Sequence, residues 1–343
     1  MTTNRRWLLV KRPEGAVGRD CFRYEERPSD HTGGADGQVL LRYELLLCAP
    51  TIRNWLSGNR NSYYPTIEIG DPVMAPALGH VIASRNPQVK IGARLLGAGS
   101  WQDEQWVDPS AFRVIPETIS ALDAMGILGL NALTAYCGLL RIGQPVQGEV
   151  LLVSGAAGSV GSVAAQIGRI KGCTVIALCG GAEKASWLRT ACGIQHVIDY
   201  KSENVIAHLD AISPKGVDIY FDNVGGALLG DVLGRMKRFG RIVLCGQIAT
   251  YNGESDLIGP PLDMMRMIYG GIRMQGFLAR QHAEVFPQAM AELAQWNAEG
   301  LIVHREDVRD GLAHLPEIFG ALFDGSNKGT LIARISDGEG KPL

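Results

Sequence analysis

No run of eighteen apolar residues occurs in the 343-residue sequence, so no membrane-spanning helix is expected. Charge of one sign is lacking as well: 33 lysines and arginines stand against 35 aspartates and glutamates. No basic stripe interleaved with aromatics appears, and nucleic acid is therefore not an expected partner. Residues 1–6 lack the apolar core of a signal peptide, which points to a soluble, cytoplasmic protein. The seven cysteines are odd in number and follow no framework spacing. Reduced thiols are expected, with Cys173, Cys179 and Cys245 serving in predicted strands as small buried hydrophobes. Neither an internal repeat nor a long linker is visible.

Glycine, by contrast, is abundant: 43 residues, clustered at turns rather than in a low-complexity tract. The most informative lie in Leu-Leu-Val-Ser-Gly-Ala-Ala-Gly-Ser-Val-Gly, residues 151–161. Apolar residues then continue at helical spacing through Val160, Val163, Ala164 and Ile167. A strand, a tight turn and a helix start are predicted. N–H groups at such a helix start carry partial positive charge and can hold a pyrophosphate. Glycine there permits close approach of a ligand or of the strand beneath. Taken alone, the pattern fits an ordinary strand-to-helix turn equally well. Repetition separates the two readings. Residues 174–178, 196–199, 218–222 and 241–245 predict further buried strands, and 272–278 a sixth. Helical stretches lie between them, as an all-parallel sheet requires.

The length suggests two domains with ample core. Up to about Ala121, strand-like pieces such as 39–47 and 80–83 alternate with Gly/Pro turns, which reads as a β-rich domain. From 122 to 301 the β–α alternation dominates. The tail predicts a helix at 315–323 and a strand at 330–335. Should that strand return to the first domain, residues 1–121 and 302–343 form one domain, with the nucleotide fold of 122–301 inserted in it. The ligand cleft is then expected between the domains, at the carboxyl ends of the sheet strands.

A NAD-specific fold usually ends its second strand with an acid that accepts the ribose 2′-OH. Here that strand ends Leu178-Cys179-Gly180-Gly181, with no acid at its tip. Glu183 comes several residues too late and is more simply a first-turn helix residue favoured by the dipole. Lys184 either neutralises a 2′-phosphate or is a solvated surface lysine, while Gly180 and Gly181 leave room for the phosphate. NADP is favoured over NAD.

The motifs together resemble the zinc-independent medium-chain dehydrogenase/reductases, in the group of prostaglandin reductase, curcumin reductase and alkenal double-bond reductase. They are Gly-Ser-Trp-Gln-Asp (99–103), Gly-Ile-Leu-Gly-Leu with Leu-Thr-Ala-Tyr (126–136), Ser-Gly-Ala-Ala-Gly-Ser-Val-Gly (154–161) and Gly-Gly-Ala-Glu-Lys (180–184). Ile-Asp-Tyr-Lys (198–201), Tyr-Phe-Asp-Asn-Val-Gly-Gly (220–226), Cys-Gly-Gln-Ile-Ala-Thr-Tyr-Asn (245–252) and Gly-Ser-Asn-Lys-Gly (325–329) follow. The resemblance implies a GroES-like β domain around a Rossmann domain of α/β class, a homodimer, and NADPH/NADP+ as cofactor. It implies cofactor contacts at Thr134, Gly158, Ser159, Val160, Gly161, Lys184, Tyr200, Asn223 and Cys245. Gly246, Gln247, Ile248, Tyr251, Phe277, Leu278, Ala279 and Asn327 complete that set. Tyr269 falls at the position of the active-site tyrosine.

The implied reaction is reduction of the C=C bond of α,β-unsaturated aldehydes or ketones. Hydride goes to the β-carbon, and Tyr269 stabilises the enolate by a hydrogen bond aimed at its oxygen. Against this, a tyrosine in a segment holding Met264, Met265 and Met267 also reads as packing. Quinone reduction, alcohol–ketone interconversion and a non-catalytic NADPH-binding role are the alternatives. Related alcohol dehydrogenases use zinc, and Cys48 and His80 lie in roughly the right region. Val81 replaces the glutamate that normally follows that histidine, and a third cysteine near Leu133 and a four-cysteine lobe are missing, so no metal is expected. Where the family carries Asp-Pro-Tyr-Met-Arg, this chain has Ala49-Pro50-Thr51-Ile52-Arg53. Thr51 thus replaces a substrate-facing tyrosine, and Thr51, Tyr251 and Tyr269 are the candidate substrate contacts. Asn54, Trp55, Tyr63 and Tyr64 either rebuild the lost wall or belong to surface and core.

Overall fold

The computed structural model describes residues 3–59, 65–253 and 261–335. The chain divides into two units, residues 1–125 with 306–343 and residues 126–305. The sequence pattern placed these boundaries at 121/122 and 301/302.

The first unit is β-rich. Its larger sheet runs in the order Glu306–Asp310, Thr330–Arg334, Val39–Leu47, Met74–Ser84, Arg94–Ser100 and Phe112–Val114, and Glu104–Val107 also pairs with Val39–Leu47. A separate antiparallel hairpin joins Thr3–Leu9 to Phe22–Pro28. The tail strand does return to this unit, pairing antiparallel with Ile332 opposite Leu47. Val39–Leu47 is buried at every position except Arg42 and Glu44, which is why apolar residues dominate it at both ends. Trp7, Tyr43, Trp101 and Phe319 fill the core beside it.

The second unit holds six parallel strands: β1 (Val150–Val153), β2 (Thr174–Cys179), β3 (His196–Asp199), β4 (Val217–Asp222), β5 (Met236–Leu244) and β6 (Arg273–Gly276). Their order is β3-β2-β1-β4-β5-β6, the doubly wound arrangement with its switch point beside β1. One register row crosses all six strands through His196, Ile176, Leu152, Tyr220, Ile242 and Met274. Helices Ser159–Ile170, Ala182–Thr190, Val205–Ile212 and Gly226–Leu233 connect the first strands.

Two details depart from the sequence reading. β5 begins at Met236 rather than near 241, because Phe239 is exposed with a left-handed φ of 63° and the pairing with β4 shifts register there. The irregularity breaks the apolar run that marks a strand. Cys173 and Cys245 lie one residue outside β2 and β5 and are only half-buried, whereas Cys179 ends β2 and is buried. All seven cysteines are free thiols. Among the described residues no helix is long and apolar enough to cross a membrane.

Candidate active site

At the carboxyl end of β1 the chain leaves the sheet at Ser154. Its hydroxyl donates to Asp222 Oδ1 at 2.8 Å and accepts from the Asn223 N–H at 2.9 Å. The Asn223 side-chain amide donates to the Ser154 carbonyl at 2.7 Å. Asp222, at the end of β4, is fully buried. Its Oδ1 also accepts the Tyr220 hydroxyl at 2.8 Å and the N–H groups of Val224 and Gly225 at 2.9 and 3.0 Å. Its backbone carbonyl accepts from Cys245 and Gly246 at 2.8 and 3.1 Å. One aspartate therefore ties together the turns that follow β1, β4 and β5. The sequence reading gave Asp222 no role; the available signal was an acid ending an otherwise apolar strand.

The turn of 155–158 delivers the chain to the helix Ser159–Ile170, with Val160 and Gly161 in its first turn. A β-carbon on Gly161 would collide with the carbonyl oxygen of Gly155, so only glycine lets the helix sit this close to the turn. Asn131 donates to the Ser159 hydroxyl at 2.8 Å, linking helix Leu130–Cys137 to the same start. Thr134 lies on that helix and returns its hydroxyl to the Leu130 carbonyl at 2.7 Å.

A second turn follows β2. Asp199, at the end of β3, accepts the Gly181 N–H at 2.7 Å, the Lys201 N–H at 3.0 Å and the Ser202 hydroxyl at 3.1 Å. These donors, the Gly181 amide foremost, hold its carboxyl below the usual aspartate range. Tyr200 lays its ring against Gly180, with the hydroxyl 2.5 Å from where a β-carbon would stand. A β-carbon on Gly181 would meet no atom within 4 Å, so space is open beside it. Lys184 is half-exposed in the first turn of helix Ala182–Thr190, a position the helix dipole disfavours for a cation. Glu183 faces Arg305, 3.2 Å away.

The remaining candidates surround these turns. Ile248 donates its N–H to the Asn223 carbonyl at 3.4 Å, and the Tyr251 hydroxyl accepts from the Gln247 N–H at 3.4 Å. Burial of its sulfur first, and the Asp222 charge second, push the Cys245 thiol up to about 12. Beyond helix Leu130–Cys137 the chain widens into a π turn at Gly138–Gly143, and Gly138 leaves room for the ring of Phe277, which a β-carbon would strike. Leu278 is exposed and Ala279 buried. Tyr269 belongs to helix Met264–Gly270, whose first turn is capped by Asp263 accepting from Met265 and Arg266. Tyr269 is 76% exposed, whereas Met267 on the same helix packs against the core. The Tyr269 hydroxyl makes no hydrogen bond among the described residues.

Thr51 and Asn327 belong to the first unit. Thr51 is exposed at the start of the short helix Ile52–Trp55. Arg53 beside it is buried and donates to the Pro13 and Gly15 carbonyls at 3.3 and 2.9 Å, while Trp55 packs on the core. Tyr63 and Tyr64 lie outside the described residues. Asn327 donates to the Gly329 carbonyl at 3.2 Å. Burial pushes the Cys48 thiol up to about 12, and His80 Nδ1 sits 2.7 Å from Glu44 Oε1. Among the described residues no three His, Cys, Asp or Glu side chains are grouped as a metal site.

Residues 5–115 match the family described as the N-terminal domain of oxidoreductase, and 159–295 the one described as zinc-binding dehydrogenase. The NADPH-dependent curcumin reductase of Escherichia coli is 36% identical over 97% of this chain and 97% of its own length. Prostaglandin reductase 1 of Oryctolagus cuniculus is 35% identical, covering 86% of this chain and 83% of its own. The crystal structure of CurA from Vibrio vulnificus in complex with NADPH superposes with a TM-score of 0.90 at 32% identity, over 97% of this chain and all of that one. The chain belongs to the zinc-independent medium-chain dehydrogenase/reductase family, in the group of curcumin, prostaglandin and alkenal reductases.

Proposed function

We propose that the protein reduces the C=C bond of α,β-unsaturated aldehydes and ketones with NADPH. Its membership of this group of NADPH-dependent reductases makes it an NADP-dependent oxidoreductase. The reading for C=C rests above all on Tyr269, whose exposed hydroxyl has no hydrogen-bond partner among the described residues. The cofactor, when bound, supplies a hydride from the nicotinamide to the β-carbon of the substrate. The chain's own residues do the rest. N–H groups at the start of helix Ser159–Ile170 would hold the pyrophosphate. Lys184, next to the open space at Gly181, neutralises the 2′-phosphate, and Tyr200 frames that subsite from above Gly180. Asn223, Cys245–Tyr251 and Phe277–Ala279 would contact the cofactor as well, the first two on turns that Asp222 holds in place. Thr134 from the second unit and Asn327 from the first complete the contact set.

As hydride arrives, negative charge develops on the substrate's carbonyl oxygen. The Tyr269 hydroxyl donates to that oxygen, one such donor contributing roughly 3 kcal/mol to the transition state, and the α-carbon of the enolate then takes a proton from solvent or from the tyrosine, giving the saturated carbonyl compound. Thr51 and Tyr251 are the further substrate contacts, threonine giving a smaller wall than tyrosine. The substrate is a small conjugated carbonyl compound, and the enzyme works as a cytoplasmic homodimer. Replacing Tyr269 by phenylalanine tests the assignment. kcat for an enone is expected to fall about 100-fold while the dissociation constant for NADPH stays the same. An unchanged kcat removes Tyr269 from the chemistry.

A further inference from the structure

The turn that receives the 2′-phosphate carries an unwelcome group. Glu183 precedes Lys184 directly in the first turn of helix Ala182–Thr190, so a carboxylate and a phosphate compete for the same small region. Like charges brought into one turn repel through water and through protein alike. The structure places a counter-charge there. Arg305 Nη2 lies 3.2 Å from Glu183 Oε1, and the guanidinium sits 6.0 Å from the centroid of Trp187 on the same helix.

This arginine comes from 122 residues away in sequence, on a segment that is held firmly. Gln166, fully buried on helix Ser159–Ile170, brackets Val303. Its amide donates to the Val303 carbonyl at 2.9 Å and its oxygen accepts the Val303 N–H at 2.8 Å. Arg169, one turn further along, donates to the Leu301 carbonyl at 2.6 Å. The segment 301–305 is thus fastened to the helix that starts at the glycine turn, and it presents Arg305 to the next helix in the sheet order. Side-chain exposures of 31% for Arg305 and 60% for Glu183 leave the pair within reach of a ligand and of salt.

We infer that Arg305 is a specificity-determining positioning residue: it neutralises Glu183 beside the 2′-phosphate subsite and so preserves the preference for NADPH over NADH. The inference rests on the reading that Lys184 holds the 2′-phosphate. Without Arg305, the Glu183 charge repels the 2′-phosphate, a penalty that NADH, which lacks the phosphate, does not incur.

Fluorescence titration of the full-length enzyme with NADPH and with NADH tests this in four variants. Arg305→Gln is expected to weaken NADPH binding roughly 3- to 10-fold, the range for a partly exposed charge pair, with NADH unchanged. Arg305→Lys is expected to keep the preference. In Glu183→Gln/Arg305→Gln the repelling charge is gone, and NADPH affinity is expected to return to within about twofold of the parent. Loss of NADPH and NADH binding alike in Arg305→Gln, or a double variant no better than Arg305→Gln, overturns the inference. Lys184→Ala separates the two claims. If it leaves the NADPH-to-NADH ratio unchanged, the phosphate assignment falls and the inference with it. If it alters the ratio while Arg305→Gln does not, the assignment stands and only the inference fails.

Discussion

Two aspartates organise the nucleotide side of the sheet without any expected contact with the ligand. Asp222 gathers the ends of three strands, and Asp199 closes the turn after β2. Neither job is legible in the sequence, because the partners are backbone N–H groups brought close only by strand pairing. The strand-turn-helix around the glycines was legible, since it depends on local spacing. Asp199 also yields a pH prediction. The folded carboxyl binds its proton less tightly than the unfolded one. Its stabilising contribution is therefore complete above the ordinary aspartate value of 3.8 and disappears as the pH falls through the lowered folded value. NADPH titrations from pH 7 downward are expected to be insensitive to this group until the pH drops below about 4, where the turn at Gly181 loosens. A transition near pH 6 would assign the loss to another group.

At the scale of elements, strands buried on both faces announced themselves as apolar runs, and 39–47 and 196–199 have the bounds the pattern predicted. Elements with a backbone irregularity did not. The π turn at Gly138–Gly143 has no sequence signature, and the bend at Phe239 hid the first half of β5. The π turn matters because Gly138 admits the Phe277 ring, which fixes the segment Phe277–Ala279 against the helix carrying Thr134. Gly138→Ala pushes that ring away. Overpacking of this kind costs about 1–3 kcal/mol, and the KM for NADPH is expected to rise severalfold while Tyr269 still acts. Calorimetric stability and steady-state kinetics on the one variant check both parts. A stable variant with unchanged KM would separate Phe277 from the cofactor.

For the whole molecule, the two-unit division has an energetic consequence. The unit of residues 126–305 holds nearly all the expected cofactor contacts, whereas Thr51 and Asn327 lie in the other. NADPH binds the folded state only, so at 100 times its dissociation constant it adds about 2.7 kcal/mol to stability. For a unit of this size each kcal/mol raises Tm by roughly 2–4 °C. Differential scanning calorimetry is expected to show a rise of about 5–10 °C with NADPH and a clearly smaller one with NADH at equal concentration. Equal shifts would deprive Lys184 of its role. The family was legible because its motifs run along the whole chain; the substrate was not, because Thr51 stands where the family pattern has a tyrosine.

The most direct measurement is the mass and structure of the product formed from an enone such as 4-phenyl-3-buten-2-one with NADPH as sole reductant. One NADPH consumed per saturated ketone, with two hydrogens gained across the C=C bond and the carbonyl intact, is the expected result. An allylic alcohol with the alkene intact, or no NADPH oxidation with any conjugated carbonyl compound, would contradict it.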